Sequence, residues 1–173
     1  MHRYTLFGEQ TERLLFREVT ENDFPAWLEF FNDPRSTLYW PMRGSAEEEC
    51  RATFDKIFYR YANELGGMNA LVSKQSGEFI GLCGLLIQTV DEVEELEIGY
   101  SIMPGHWQKG YATEAARKCK EFAFAHRFRD SLISIIHERN VPSQKVAIKN
   151  GMTLNKKTIY KEVPVHIYRI LAP

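Results

Sequence analysis

The sequence predicts an α/β (α+β) domain in which one mixed sheet combines antiparallel hairpins with a strand-helix-strand crossover. Three strand-like runs follow one another between Met68 and Met103, separated only by Ser76-Gly77 and by an acidic turn at Asp91 and Glu92. A strongly amphipathic helical stretch comes directly after them, with Ala112, Ala116, Cys119, Ala123 and His126 at intervals of three or four. Another strand-like run, "SLISIIHE", follows that helix.

The remaining elements are read in chain order. "ERLLFREV" (Glu12 to Val19) predicts a first strand. From Thr20 to Phe31, Phe24, Trp27, Leu28 and Phe31 recur at helical spacing, and Asp23 and Pro25 suit a first turn. Ser45 and Glu48 form the S-x-x-E pattern that satisfies free amides at a helix start, so a second helix is expected to about Asn63. Gly66 and Gly67 are expected to break the chain before "MNALVSK", "EFIGLCGLLIQTV" and "EELEIGYSIM". The middle run is almost wholly apolar, as expected of a strand covered on both faces. "NVPSQKVAIKNGM" predicts a short helix stopped at Asn150-Gly151, and the last twenty or so residues two strands meeting near Pro164.

The chain has 173 residues, 44% of them hydrophobic and 26% charged, with a net charge of −1. One domain spanning 1–173 is expected, since neither a repeat nor a composition break divides it. A nucleic-acid partner would call for a more basic chain. No apolar run approaches the ~20 residues of a membrane span, and the beginning of the chain lacks a signal-peptide pattern; the expected location is the cytoplasm. Cys50, Cys83 and Cys119 lie far apart and are expected to be reduced, buried thiols. His106, His126, His137 and His166 have no common ligand spacing, so no metal site is expected.

The stretch "MPGHWQKGYATEAARKCKEFAFAH" runs from a strand end through a basic turn into a helix. The first amides of a helix lack intrahelical partners, and the helix dipole puts partial positive charge there, so anions bind at such ends. Gly110 leaves room for something to approach the backbone, and Lys109 and Arg117 would add charge. On these residues alone, a tightly packed helix start accounts for the pattern equally well.

"IGYSIMPGHWQKGYATEA" closely resembles the acetyl-CoA-binding segment of the GNAT superfamily of N-acetyltransferases, where a strand enters a Q/R-x-x-G-x-G/A loop. Gly110 and Ala112 match its fourth and sixth positions, while Trp107 stands where Gln or Arg is usual. That departure resembles the RimJ/RimL-like branch of ribosomal-protein alanine and serine N-acetyltransferases, whose W-G-K-G-Y-A-T-E-A loop differs only at Gln108. "ERNVPSQKVAIKNGMTL" is similar to the same branch's N-x-x-S-x-x-x-x-x-K-x-G-[FM] segment, with Asn140, Ser143, Lys149, Gly151 and Met152 in register.

The resemblance implies the GNAT acyl-CoA N-acyltransferase fold, a six- to seven-stranded sheet flanked by about four helices. It implies acetyl-CoA as co-substrate, with pyrophosphate at Gly110, Tyr111, Ala112 and Thr113 and the neighbouring Gln108 and Lys109. Asn140 would hold the pantetheine arm, Ser143 would meet the departing thiolate, and an amide near Ile102 or Met103 would face the carbonyl oxygen. The acceptor pocket would be walled by Tyr39, Trp40 and Arg43 and by the loop between the last two strands. Plain roles remain open: Asn140 as a helix cap, Tyr39 and Trp40 as packing anchors.

Attack on a thioester needs a neutral amine, hence a base. Strand alternation places Glu95 and Glu97 on one face and Glu94 on the other; Glu97 is favoured because it lies nearer the cofactor end, with Glu162 as runner-up and a solvated strand edge as the plain reading. With no Ser-His-Asp or Cys-His motif visible, direct transfer in a ternary complex is expected. The implied acceptor is a primary amine, such as a protein N-terminal amine; alternatives are a polyamine, amino sugar or amino acid, or a non-catalytic acyl-CoA-binding module. A polyamine would suit the acidic run Asp91, Glu92, Glu94 and Glu95. The state of assembly is left as monomer or homodimer.

Overall fold

The computed structural model describes residues 3–173. Its elements run β1 (Leu14–Arg17), α1 (Phe24–Asn32), α2 (Ala46–Ala62), β2 (Gly66–Ser73), β3 (Phe79–Val90), β4 (Val93–Ile102), α3 (Tyr111–Ala125), β5 (Ser131–His137), α4 (Val141–Lys149), β6 (Thr153–Tyr160) and β7 (Val163–Leu171). The seven strands form one sheet in the order β1-β2-β3-β4-β5-β7-β6. Only β4 and β5 are parallel, and α3 is the crossover between them. The expected mixed fold is therefore the observed one.

Side-chain alternation divides the core into two layers. Ala70 and Leu82 face α1 and α2, where Trp27, Phe31, Phe54 and Ile57 pack. Leu71, Cys83, Leu96 and Ile98 face the other way, against Ala115, Cys119 and Ala123 of α3 and Ala147 of α4. β3 is buried over most of its length, as its apolar run predicts.

Local chemistry sets the element ends. Ser45 Oγ accepts from the Glu48 amide (3.2 Å) and Glu48 Oε2 from the Ser45 amide (2.7 Å), the reciprocal cap expected for α2. Replacing Ser45 with Ala is expected to cost about 1 kcal/mol in denaturant unfolding while leaving activity unchanged. The first helix starts later than its periodicity suggests: residues Glu21–Asp23 form a 3-10 turn in which Asp23 accepts from the Thr20 amide (2.9 Å) and from Arg17 (2.7 and 2.8 Å).

Three other boundaries differ from expectation. β1 is four residues long, shorter than Glu12 to Val19, because only Leu14–Arg17 pair with β2 at this sheet edge. Gly66 and Gly67 open β2 instead of breaking the chain before it; a Cβ on Gly66 would lie 2.0 Å from the Leu85 carbonyl oxygen. The last two strands meet at Lys161-Glu162, with φ of 48° and 68°, a two-residue turn that matches strand twist; Pro164 lies inside β7 opposite Ile159. Asp91-Glu92, at 47° and 67°, joins β3 to β4 in the same way, where the acidic turn was expected. Among the described residues no helix is long and apolar enough to cross a membrane.

Candidate active site

The site begins where β4 and β5 part. Their ladder is recorded at Glu97 and Ile133, and Ser134 Oγ adds a bond to the Ile98 carbonyl (2.8 Å). Further along, the Ile135 amide donates to the Glu97 side chain instead of continuing the ladder. On the other edge, β4 stays paired with β3 as far as Ile102.

Pairing with β3 decides which amides face the opening. The Met103 N–H donates to the Ile80 carbonyl (2.9 Å), so of the two amides expected near the carbonyl oxygen, this one is engaged. Antiparallel alternation turns the backbone groups of Ile102 to the opposite edge, toward β5. The Ile102 carbonyl is taken by Trp107 Nε1 (2.7 Å). That bond gives the unusual tryptophan a structural task, tying the loop after β4 to the strand end.

The loop then reaches the start of α3. Gly110 caps the helix with φ of 81°, and the first intrahelical bond recorded, Glu114 N–H to Gly110 O (3.0 Å), leaves the amides of Tyr111, Ala112 and Thr113 ahead of the ladder. Arg13, just before β1, braces the loop by donating to Lys109 O (2.8 Å) and Glu114 Oε2 (2.6 Å), with its guanidinium 4.3 Å from the Tyr111 ring centre. A groove of about 530 Å³ lies along this helix end, lined by Gly110, Thr113 and the cations Arg13, Arg117, Lys118 and Lys149, with Glu12, Glu114 and Glu121 also on its wall and Glu114 paired to Arg13. Free amides, a helix of fifteen residues and these cations fit a pyrophosphate-bearing co-substrate. Among the described residues no group of His, Cys, Asp and Glu could hold a metal.

Asn140 caps α4, its Oδ1 accepting from the Ser143 amide (3.2 Å). The Ser143 carbonyl accepts from Tyr100 Oη (2.7 Å), so both backbone groups of this half-buried serine are engaged. The hydroxyl comes from β4, and nothing in the motif around Asn140 and Ser143 points to it. Burial pushes the Tyr100 phenol up, and it stays a hydrogen-bond donor throughout the physiological range.

Glu97 lies on the other face of the sheet, toward α2. Gln88 Nε2 donates to its Oε2 (2.8 Å), and the Gln88 amide is oriented from behind: its Oε1 accepts from Arg60 Nη2 (2.8 Å) and Tyr160 Oη (3.0 Å). Burial raises the Glu97 pKa, and the bonds from Gln88 and Ile135 with the charges of Arg60 and Lys56 only partly oppose this. A carboxyl poised above the usual range is suited to taking a proton near neutral pH. In Gln88→Leu, kcat should fall about tenfold. Losing that donor should also move the acid limb of the pH–rate profile to higher pH.

The connection between α1 and α2 spans the opening. The Tyr39 ring lies 5.1 Å from that of His137 at the end of β5, and the Arg35 guanidinium 5.7 Å from the Trp107 ring. Arg43 Nη2 meets Glu162 Oε2 (3.3 Å). Trp40 packs on Phe31 with ring centres 5.2 Å apart, the anchoring role of the plain reading. Glu162, 89% exposed at the β6–β7 turn, sits in open water with Arg43, away from the bonds that surround Glu97. The acidic run is largely spent in ion pairs, Asp91 with Lys156 (2.7 Å), Glu94 with Arg129 and Glu95 with Arg169.

Gln88, Arg60, Tyr160 and Lys56 were missed by motif reading. One signal was present: Arg60 falls in the same buried stripe of α2 as Phe54, Ile57 and Tyr61, a charge where an apolar residue would be expected.

Comparison with known proteins bears on this arrangement directly. A family profile described as an acetyltransferase (GNAT) domain matches residues 13–153. YkkB, an uncharacterized protein of Bacillus subtilis (strain 168), is 32% identical over 162 residues, covering 91% of this chain and 92% of that protein. The crystal structure of an acetyltransferase from Agrobacterium tumefaciens str. C58 superposes with a TM-score of 0.81 at 27% identity, covering 96% of this chain and 95% of that one. RimL, a ribosomal L7/L12 α-N-protein acetyltransferase solved in complex with coenzyme A, shares the fold with a TM-score of 0.76 at 16% identity, covering 95% and 97%. With its parted β4 and β5, free amides at the start of α3 and a matched profile over most of its length, the chain belongs to the GNAT family of acetyltransferases.

Proposed function

We propose that this acetyltransferase moves the acetyl group of acetyl-CoA to a primary amine by direct attack in a ternary complex. The observation that carries this reading is Glu97, a carboxyl of raised pKa held beside the parting of β4 and β5. The co-substrate supplies an activated acetyl thioester. The amides of residues 111–113, with Arg13, Arg117 and Lys149 nearby, would hold its pyrophosphate, and the Asn140 amide nitrogen would bond the pantetheine arm.

Glu97 Oε2 takes the proton from the acceptor nitrogen as the N–C bond forms. The Ile102 N–H stabilises charge on the carbonyl oxygen, and Ser143 Oγ donates a proton to sulfur as the C–S bond breaks, to be reprotonated from solvent. Glu97 and Ser143 approach from opposite faces of the sheet, which suits substrates entering from opposite sides. The exposed Glu162 is less suited, because it stands in open water paired with Arg43, away from the bonds that surround Glu97. Three free, buried cysteines fit the reducing cytoplasm expected for the chain.

The acceptor is sought among peptide N-terminal amines, as the WQKGYATEA loop suggests, and among small amines. The ion pairing of Asp91, Glu94 and Glu95 removes the feature that favoured a polyamine. The test is an acceptor screen with thiol detection and mass spectrometry, covering peptides beginning with Ala, Ser or Met, amino acids, amino sugars and polyamines. Thiol release matched by an N-acetylated product is expected. Binding of acetyl-CoA with no release for any amine would contradict the proposal.

A further inference from the structure

The residues around Glu97 hold more positive charge than the chain itself neutralises. Lys56 on α2 and Lys161 in the β6–β7 turn, 105 positions apart in sequence, come within hydrogen-bond reach of each other. No carboxylate lies within salt-bridge distance of either ammonium, although ten such bridges are recorded elsewhere among the described residues. Lys161 also stands 5.1 Å from the ring centre of Tyr160, whose hydroxyl reaches Gln88. One turn along α2, Arg60 is only 6% exposed, is bound by carbonyl and amide oxygens alone, and keeps a buried Nε without a partner. The nearest acid in this group is Glu97 itself, whose task as a base is to take a proton.

Two ammonium groups in contact repel, and no ion pair among the described residues offsets that repulsion. Burial and then Lys161 push the Lys56 pKa down to about 8, so at neutral pH Lys56 still carries most of its charge. Such a pair is a seat for an anion, and here it borders the base that serves the acceptor.

We infer that the acceptor amine carries an anionic group, a carboxylate or a phosphate, which Lys56 and Lys161 hold beside Glu97. This rests on the acetyl-transfer reading above and adds the substrate class. Lys56 and Lys161 bind the anion and thereby position the amine; Arg60 contributes charge from below while orienting Gln88. The same arrangement disfavours a polycationic acceptor, whose remaining ammonium groups would meet like charge.

Matched acceptor pairs test the inference: a free amino acid against its amide, phosphoethanolamine against ethanolamine, and a peptide with Glu as its second residue against the Gln form. In the native protein the anionic member of at least one pair should be preferred about tenfold or more in kcat/KM, the effect of one or two charge-assisted bonds. In Lys56→Gln/Lys161→Gln that preference, taken as a ratio within the variant so that any change at Glu97 cancels, should shrink to about twofold. The double variant should be no less stable than the native protein at pH 7, since it relieves a repulsion. Equal turnover within every pair in the native protein, or an undiminished preference in the variant, would overturn the inference. Inorganic phosphate provides a readout independent of turnover: it should raise the unfolding midpoint of the native protein more than that of the variant, and equal shifts would also overturn the inference. Failure of every amine to be acetylated would instead contradict the transfer reading, with the phosphate comparison still deciding the anion seat.

Discussion

Replacing Glu97 with Gln is expected to lower kcat by about 10²- to 10⁴-fold, the contribution typical of a positioned base, with little change in the affinity for acetyl-CoA. Stability should move the other way. The folded-state pKa of Glu97 lies above its unfolded value, so the folded chain holds this proton more tightly. The stability linked to it is present in full below the unfolded pKa and is lost as pH rises through the folded one. Above the folded-state pKa the native carboxylate is ionised against its surroundings, whereas Gln stays neutral and can still accept from Ile135. The variant should therefore gain on the native protein in denaturant unfolding as pH rises, with the gap closing toward pH 4. Full activity in Glu97→Gln would move the base to Glu162 or to solvent.

The second large effect is expected at Gly110. Its φ of 81° lies in the left-handed region, and a Cβ there would meet only Arg13 Nη2, at 3.4 Å. Gly110→Glu thus fits sterically, at a backbone cost of roughly 1–2 kcal/mol. It also places a carboxylate where the amides of α3 are to meet phosphate. Coenzyme A affinity should fall about 10- to 100-fold by calorimetry, as expected for one or two charge-assisted bonds lost. Gly110→Asn tolerates the same backbone without adding charge, and should lose far less affinity. If Gly110→Glu binds coenzyme A as tightly as the native chain, the groove at the start of α3 is not the pyrophosphate site.

What could be read in the sequence was local. Ser45 and Glu48 announce their helix start because a reciprocal cap needs only four residues in a row. The stretch from Trp107 to Ala116 announces its helix because amphipathic spacing and a glycine at the cap lie side by side. Asn140 and Ser143, three residues apart, likewise form the cap their spacing suggests, with Asn140 Oδ1 accepting from the Ser143 amide. The residues that surround Glu97 were not legible in this way. Lys161 reaches Lys56 only because β6 and β7 pair as a hairpin whose turn comes to α2, and no periodicity carries information across that span. Tyr100 was overlooked for a related reason: its hydroxyl belongs to β4 but is spent at the first turn of α4, three elements later. Trp107 illustrates a middle case. Its identity pointed to a branch of the family, while its work, a bond to the Ile102 carbonyl, became visible only with the strand end in place.

Direct attack is the claim on which the account turns, and the cysteines bear on it. Cys50, Cys83 and Cys119 are all fully buried, and burial pushes the Cys50 thiol up to about 11 and Cys119 well above its usual value. Thiols sealed from solvent and substrate are poor nucleophiles, so none is suited to carry the acetyl group. The decisive measurement is to incubate the protein with radiolabelled acetyl-CoA in the absence of amine, then collect initial velocities with the best acceptor. The account requires no label on the protein and double-reciprocal lines that intersect. A stoichiometric acetyl-protein that passes its label to the amine, with parallel lines, would contradict it.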